Sequence, residues 1–427
     1  MKYTYLFICL ALLSSLPLQA QEPKATGGIF ALTGATIETV TNGTVQGTLL
    51  IRDGKIVAIG DNVTYPDDAT VIDCQGLTIY PGMIDGGTRI GLSEISSIEL
   101  TQDYADVGEL KPHMKALTAV NPNSPHMAIT RMGGVTTALT VPSGGLFPGQ
   151  AALINLYGYT PDAMAAGFEA IVMRFPSTAR RGRRDSRSDE ELEKDRKKAL
   201  ENINEIWAQA QEYHRVDSLH RATGSAAPAY YPEMAAMMPL LTGNAAMLIE
   251  VNRAEDILAA IEWVGEKKVK AILTGCAEGW RVAKEIAAAG IPVITGPVLE
   301  LPTRDSDAYD RPYANPGIMQ QAGVKVALRT EQTENVRNLP FHAGFAAAYG
   351  MGREEALRSV TIVPAEMFGL GDKLGSIEVG KVANLVIANG DIFEPRTQIS
   401  HIFIDGWLMP YSSRQQRLYE EFLQRNP

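Results

Sequence analysis

Apolar residues recur along this chain with two different periods, and the places where each period holds divide it into regions. Between residues 28 and 80, short β-branched runs are broken by Gly, Asn and Asp. The stretch Leu49-Leu50-Ile51-Arg52, Asp53-Gly54, Lys55-Ile56-Val57-Ala58-Ile59 predicts a hairpin, because an Asp-Gly pair takes the positive φ that a tight two-residue turn requires. The same grammar returns only near the other end. There Ser376-Ile377-Glu378-Val379, the run 383–388 and Ile402-Phe403-Ile404, Asp405-Gly406, Trp407-Leu408-Met409 predict strands with a second Asp-Gly turn. Two β-rich ends flank a different middle, so the ends are expected to pair with each other.

In the middle, apolar runs alternate with amphipathic stretches. The run 246–251 predicts a buried strand, followed by a helix with Ala254, Ile257, Leu258, Ile261 and Val264 on one face, and then a strand at 269–273. A helix is expected over 278–289, stopped by Gly290 and Pro292, then strands at 292–295 and 324–328 and a helix near 341–349. Strand, helix, strand at this spacing means parallel pairing with right-handed crossovers. No glycine-rich phosphate loop follows the first strand, so a closed barrel is expected rather than a doubly wound sheet. The expected fold class is therefore α/β, a (β/α)8 TIM-type barrel with a small β-sandwich domain formed from both chain ends. The expected boundaries are 21–80 and 371–427 for the composite β domain and 81–370 for the barrel.

One segment, 177–222, stands outside the alternation. Five arginines crowd residues 177–187, and Ser188 with Glu191 forms a capping box that opens a long helix carrying Leu192, Leu200, Ile203, Ile206, Trp207 and Tyr213. The helix is strongly acidic, so the arginines read as a solvated loop rather than a nucleic-acid site, and the insertion as a helix over one barrel loop, a candidate lid.

Composition narrows the setting. The chain begins with Lys2, an apolar run over residues 5–18 and Gln19-Ala20, which reads as a signal peptide, 1–20. An N-terminal membrane anchor is the alternative, but the run is shorter than the roughly 20 residues that span a bilayer. The mature chain is expected to be exported, periplasmic or extracellular, and free of the membrane. It would keep only Cys74 and Cys276, too few for a disulfide framework. A formal charge of -10, from 49 acidic against 39 basic side chains, disfavours nucleic acid and anionic membranes as partners. The expected partner is a small molecule, with self-association left open.

The run Ala31-Leu32-Thr33-Gly34-Ala35-Thr36-Ile37, then Asp53-Gly54-Lys55-Ile56-Val57-Ala58-Ile59-Gly60, then Pro81-Gly82-Met83-Ile84-Asp85 resembles the N-terminal signature of the amidohydrolase superfamily, particularly its imidazolonepropionase-like and dihydroorotase-like branches. Thr361, Pro364-Ala365, Gly369, Gly375, Ile377 and Gly380-Lys381 with Ala383 and Leu385-Val386 resemble its C-terminal stretch, with Asn384 where an Asp is more usual. Gly134-Val135-Thr136-Thr137 and Asn335-Val336-Arg337-Asn338-Leu339 are similar to segments between the ends. The resemblance implies a barrel that holds one or two divalent metals for hydrolysis of non-peptide carbon–nitrogen bonds. It also implies a ligand set: a His-x-His after the first barrel strand, a carboxylated lysine, two further histidines and an aspartate on the last strand.

The residues depart from that set. Gly87 and Arg89 stand at the His-x-His positions, Glu250 where a histidine is expected, Thr274-Gly275-Cys276 ends the next strand without one, and the last reads Ala327-Leu328-Arg329-Thr330-Glu331. None of the six histidines, His113, His126, His214, His220, His342 and His401, lies at zinc-pair spacing from another. No cofactor is expected, and a divalent metal is disfavoured. Glu250, Glu331 and Asp310 offer oxygens to magnesium or calcium, but Arg89 would place a cation in the same space. The expected catalytic candidates are Glu331, Glu250 and Arg89, with Arg89 pairing one or both glutamates across the closure of the barrel. Weaker substrate-binding candidates are Arg329, for an anion or the same ion-pair network, Cys276, a possible nucleophile lacking a nearby base, and Asp310. Asp85 is expected to fix strand-to-loop geometry. Two readings stay open: a hydrolase of a small cyclic amide or related compound with an altered centre, or a catalytically inactive relative that binds a small ligand or partner subunit.

Overall fold

The computed structural model describes residues 24–180 and 185–425. The expected signal peptide, with its cut after Ala20, lies outside the described residues, as do Arg181, Arg183 and Arg184 of the basic run. No helix among the described residues is long and apolar enough to cross a membrane.

Both chain ends build one sheet. The N-terminal part supplies β1 (Phe30–Glu38), β2 (Thr44–Arg52), β3 (Lys55–Gly60), β4 (Thr70–Asp73) and β5 (Thr78–Pro81). The barrel follows with β6 (Met83–Thr88), β7 (Val135–Thr140), β8 (Gly149–Asn155), β9 (Ala165–Arg174), β10 (Ala246–Val251), β11 (Ala271–Gly275), β12 (Val293–Thr295) and β13 (Val326–Leu328). The C-terminal part returns with β14 (Leu385–Ala388), β15 (Ile399–Ile404) and β16 (Trp407–Leu408). β14 pairs antiparallel with β5, setting Leu385 opposite Pro81 and Ala388 opposite Thr78, which joins the two ends as the strand grammar implied. Their inward faces share one core: Phe30, Leu49, Ile51 and Ile79 from one end pack with Leu385, Ile387 and Phe403 from the other, and the Phe30 and Phe403 rings meet edge to face at 5.1 Å. Both Asp-Gly turns form, with Asp53 and Asp405 at φ of 51° and 50°. Ser376–Val379 is not a strand. It is a turn between Gly375 and Gly380, at φ of 87° and 95°, that still buries Ile377.

The barrel sheet runs β6-β7-β8-β9-β10-β11-β12-β13, and all its pairings are parallel except those of β8, which is antiparallel to both neighbours. The cause is connection length. Residues 141–148 and 156–164 are too short for a crossover helix, which needs a dozen or more residues, so the chain meanders here instead of crossing over. Closure between β13 and β6 occurs at the mouth, where the Glu331 N–H donates to the Gly87 carbonyl (2.9 Å) and the Arg89 N–H to that of Gln332 (3.1 Å).

The insertion forms the helix Asp189–Thr223, with the Ser188–Glu191 capping box in place. It is docked on the barrel through buried Ile203, Ile206, Trp207 and Ala210. Trp207 meets Trp263 edge to face at 5.5 Å, and the Trp263 indole N–H donates to Asn204 Oδ1 at 3.1 Å.

Candidate active site at the barrel mouth

The C-terminal ends of the barrel strands surround a cavity of about 500 Å³, lined among others by Arg89, Asn252, Thr295, Asn315, Glu331 and Gln332. Asp85, fully buried within β6, braces the strands beneath it. Asp85 Oδ1 accepts from the N–H of Gly87 (2.9 Å) and of Thr330 (3.2 Å), and Oδ2 from the Thr330 hydroxyl (2.5 Å). This carboxylate therefore stitches the first strand to the last, the geometric role expected of it. Burial pushes its pKa up to about 6, against the opposing pull of those donors and of Arg329.

Arg329 leaves the end of β13 and turns inward, 5% exposed. Its Nη2 donates to Glu331 Oε2 at 2.8 Å and its Nε to the Gly296 carbonyl at 3.2 Å. Burial works against its charge, but the fields of Glu331, then Glu250, Cys276 and Asp85, outweigh it and hold the guanidinium firmly protonated. Glu331 itself sits in the left-handed region at φ 56°, a conformation that costs a non-glycine residue on the order of 1 kcal/mol. Its N–H bond to Gly87 and its ion pair with Arg329 hold it there. One carboxylate oxygen is engaged, and the other has no hydrogen-bond partner among the described residues.

Arg89 does not pair with a glutamate. Its guanidinium lies over the Tyr104 ring, 4.4 Å from the centroid, and no carboxylate among the described residues is within 4.0 Å of it. The half-buried ring face supplies the guanidinium with a cation–π partner in place of a carboxylate. The role expected of Arg89 belongs to Arg329, which the sequence reading placed in the network only as a secondary member. Glu250, at the end of β10, is half-buried and acts on Arg329 through its charge. Cys276 is fully buried, burial pushes its thiol up to about 12, and it does not line the cavity. Asp310 precedes the helix Arg311–Gln321, away from the cavity lining, with a buried Oδ1 that has no partner.

The histidines scatter. His126 Nε2 lies 3.0 Å from the Glu94 carbonyl, His113 Nδ1 lies 3.9 Å from Glu233, and His214 and His220 are on the inserted helix. His342 is buried and accepts the Val298 N–H through Nδ1 at 3.0 Å. Two groups near the mouth escaped sequence reading. Asn315 is buried and donates to the Cys276 carbonyl (3.0 Å) and Thr295 Oγ1 (3.1 Å), bracing the cavity wall. Glu278 is fully buried. It accepts the Ala254 N–H at 3.0 Å, capping the helix Ala254–Lys267, and binds Arg304 Nη2 at 2.7 Å. Neither belongs to a motif or a strand end, and their burial follows from tertiary contacts rather than from local spacing. A larger cavity, about 850 Å³, lies under the inserted helix, but none of the expected site residues lines it.

A sequence model of the amidohydrolase family matches residues 78–408. Amidohydrolase tasK of Hapsidospora irregularis is 22% identical over 388 residues, 84% of this chain and 39% of its own length, so the chain spans about two fifths of that curated relative. Among solved structures, an amidohydrolase from Thermotoga maritima MSB8 superposes with a TM-score of 0.77 at 24% identity, covering 88% of this chain and 98% of that one. A prolidase complexed with N-methylphosphonate-L-proline superposes with a TM-score of 0.57 at 15% identity, over 90% of this chain and 99% of that one. At these identities the likeness is one of fold. Proteins of this family usually bind a divalent metal, and the residues here do not fit one. Among the described residues no three His, Cys, Asp or Glu side chains converge to hold an ion, and the mouth's Glu331 is already paired with the Arg329 guanidinium at 2.8 Å.

Proposed function

The chain belongs to the amidohydrolase family, and on that premise we propose that its barrel mouth takes a small molecule containing a non-peptide carbon–nitrogen bond, a cyclic amide or a related compound, and hydrolyses it at an altered centre. The observation that carries this reading is the cavity of about 500 Å³ into which Glu331 and Arg89 both face from the C-terminal strand ends, where barrels of this kind do their chemistry. Glu331 is the base candidate, because one of its oxygens is unengaged and its backbone is held in a strained conformation that Arg329 and Gly87 stabilise. Arg89, stacked on Tyr104 rather than tied to an acid, is available to a carboxylate or carbonyl of the ligand. Asn252 and Thr295 add polar contacts that orient it.

A second reading, binding without turnover, is favoured by the pair between Arg329 and Glu331, which already occupies one carboxylate oxygen. One experiment separates the two. Purified protein is assayed against a panel of lactams and N-acyl compounds, alongside Glu331→Gln. Hydrolysis that falls by about 10²-fold or more in Glu331→Gln supports the enzyme. Thermal stabilisation by a panel member with no hydrolysis supports the binding reading. Neither hydrolysis nor stabilisation by any member would sink the assignment of this cavity. The reading places the mature chain outside the cytoplasm, supported by the apolar run before Gln19-Ala20. N-terminal sequencing of exported protein beginning at Gln21 would establish it.

A further inference from the structure

We infer that the Arg329 guanidinium is a built-in replacement for the family's divalent cation, a fixed positive charge on the last strand that holds the mouth's carboxylates together without metal. The inference rests on the family reading only for which positions are compared. Three independent features carry it, and the first is place. Arg329 is 5% exposed and bonded on both sides, to Glu331 Oε2 at 2.8 Å and to the Gly296 carbonyl at 3.2 Å, so its head is held rather than snorkelling to solvent.

The second feature is space. Gly87 stands at the first position of the missing His-x-His, and a Cβ built there would lie 3.1 Å from Arg329 Cδ. Any side chain at 87 would therefore press on the Arg329 side chain, which would have to shift by a few tenths of an ångström. Gly296, at φ 132°, lets the backbone of residue 329 approach closely, since a Cβ there would fall 2.2 Å from the Arg329 carbonyl oxygen, and the Gly296 carbonyl is the acceptor of the Arg329 Nε bond. The third feature is charge. Glu331, Glu250 and Asp85 all act on this one guanidinium, and no other cation is paired with them among the described residues. Without Arg329, Glu331 would lose its ion-pair partner, and the nearest remaining cation lining the cavity, Arg89, is engaged on the Tyr104 ring.

The substitution is not chemically equivalent. A guanidinium neutralises carboxylates and donates hydrogen bonds, but it has no coordination position at which to bind and acidify a water. Any turnover at this mouth must then take its proton transfer from side chains.

The test uses the full mature chain purified without chelator. Metal analysis is expected to give well under about one-tenth of a zinc, manganese or iron per chain, and the melting temperature is expected not to move with EDTA or with added zinc. Arg329→Met, which keeps the aliphatic bulk and removes the charge, is expected to melt roughly 3–6 °C lower. Arg329→Lys should recover part of that loss. Gly87→His is expected to destabilise the parent, and to cost less in the Arg329→Ala background, where the competing side chain is gone. Stoichiometric metal in the parent, or a melting temperature lowered by EDTA, would overturn the inference even if no variant folds. So would Arg329→Met as stable as the parent. These outcomes are separable from the functional reading, since a metal-free, chelator-insensitive chain that hydrolyses nothing upholds the replacement and sinks only the turnover.

Discussion

At the scale of single residues, two buried ionisable groups set opposite pH dependences. Burial lowers the His342 pKa from 6.5 to about 4, so the unfolded chain takes up a proton that the folded chain refuses. The stability this provides is complete above pH 6.5 and is lost as pH falls toward 4, on the order of 3 kcal/mol in all. Asp85 runs the other way. Its folded pKa of about 6 lies above 3.8, so its contribution is complete below 3.8 and is lost as pH rises through 6. His342→Gln, which keeps an acceptor for the Val298 N–H, is expected to be less stable than the parent at pH 7. That gap should narrow by about 2–3 kcal/mol at pH 4.5, as read from urea midpoints at the two pH values. A gap independent of pH would show that His342 titrates normally. Identities at the mouth were legible from sequence: Gly87, Arg89, Glu250, Arg329 and Glu331 all sit at strand ends as their spacing implied. Partner choice was not. Whether Arg89 or Arg329 meets Glu331 depends on Tyr104, which lies in the loop after β6 and offers its ring to Arg89.

At the scale of elements, runs with a strong period were legible and short connections were not. The strand Ala246–Val251 and the helix Ala254–Lys267 fall where their apolar spacing put them. β8 did not announce itself, because its direction is set by the length of the loops on either side rather than by its own residues. The inserted helix shows the same limit. Its capping box and apolar stripe predicted a helix, but not whether it is anchored or free. Buried Trp207 against Trp263 argues that it is anchored. Trp207→Ala removes that contact and leaves a cavity beside Ile203 and Ile206, at an expected cost of about 3–5 kcal/mol. Differential scanning calorimetry and protease sensitivity of the helix measure it. An unchanged melting temperature with an intact helix would mean that the insertion is not docked through this ring and is free to act as a lid.

At the scale of the whole molecule, the composite β domain and the barrel meet through a small polar junction centred on Asn384, the residue that replaces the family's more usual Asp. Its Nδ2 donates to Thr137 Oγ1 at 3.3 Å and to Asn155 Oδ1 at 3.2 Å, both on barrel strands, while its Oδ1 accepts the Asp405 N–H at 2.7 Å. Asn155 Nδ2 in turn donates to Asp405 Oδ2 at 2.9 Å. The Asn384 amide donates through Nδ2 to the barrel strands and accepts through Oδ1 from the β domain, a combination that an ionised aspartate cannot supply. Asn384→Asp would leave Asn155 Oδ1 facing a carboxylate and bring a second negative charge close to Asp405, whose own pKa is already raised by burial. The expected cost is about 1–3 kcal/mol at pH 7, from the two lost amide donations, the carboxylate set against Asn155 Oδ1 and like-charge repulsion, although Asn155 Oδ1 keeps the Thr137 hydroxyl at 3.0 Å. It should shrink as pH falls, because a protonated acid regains a donor, so denaturation midpoints at pH 7 and pH 4.5 should converge on the parent's. Asn384→Asp matching the parent at pH 7 would show that the two domains are held by their apolar contacts alone and that this junction merely fills the seam.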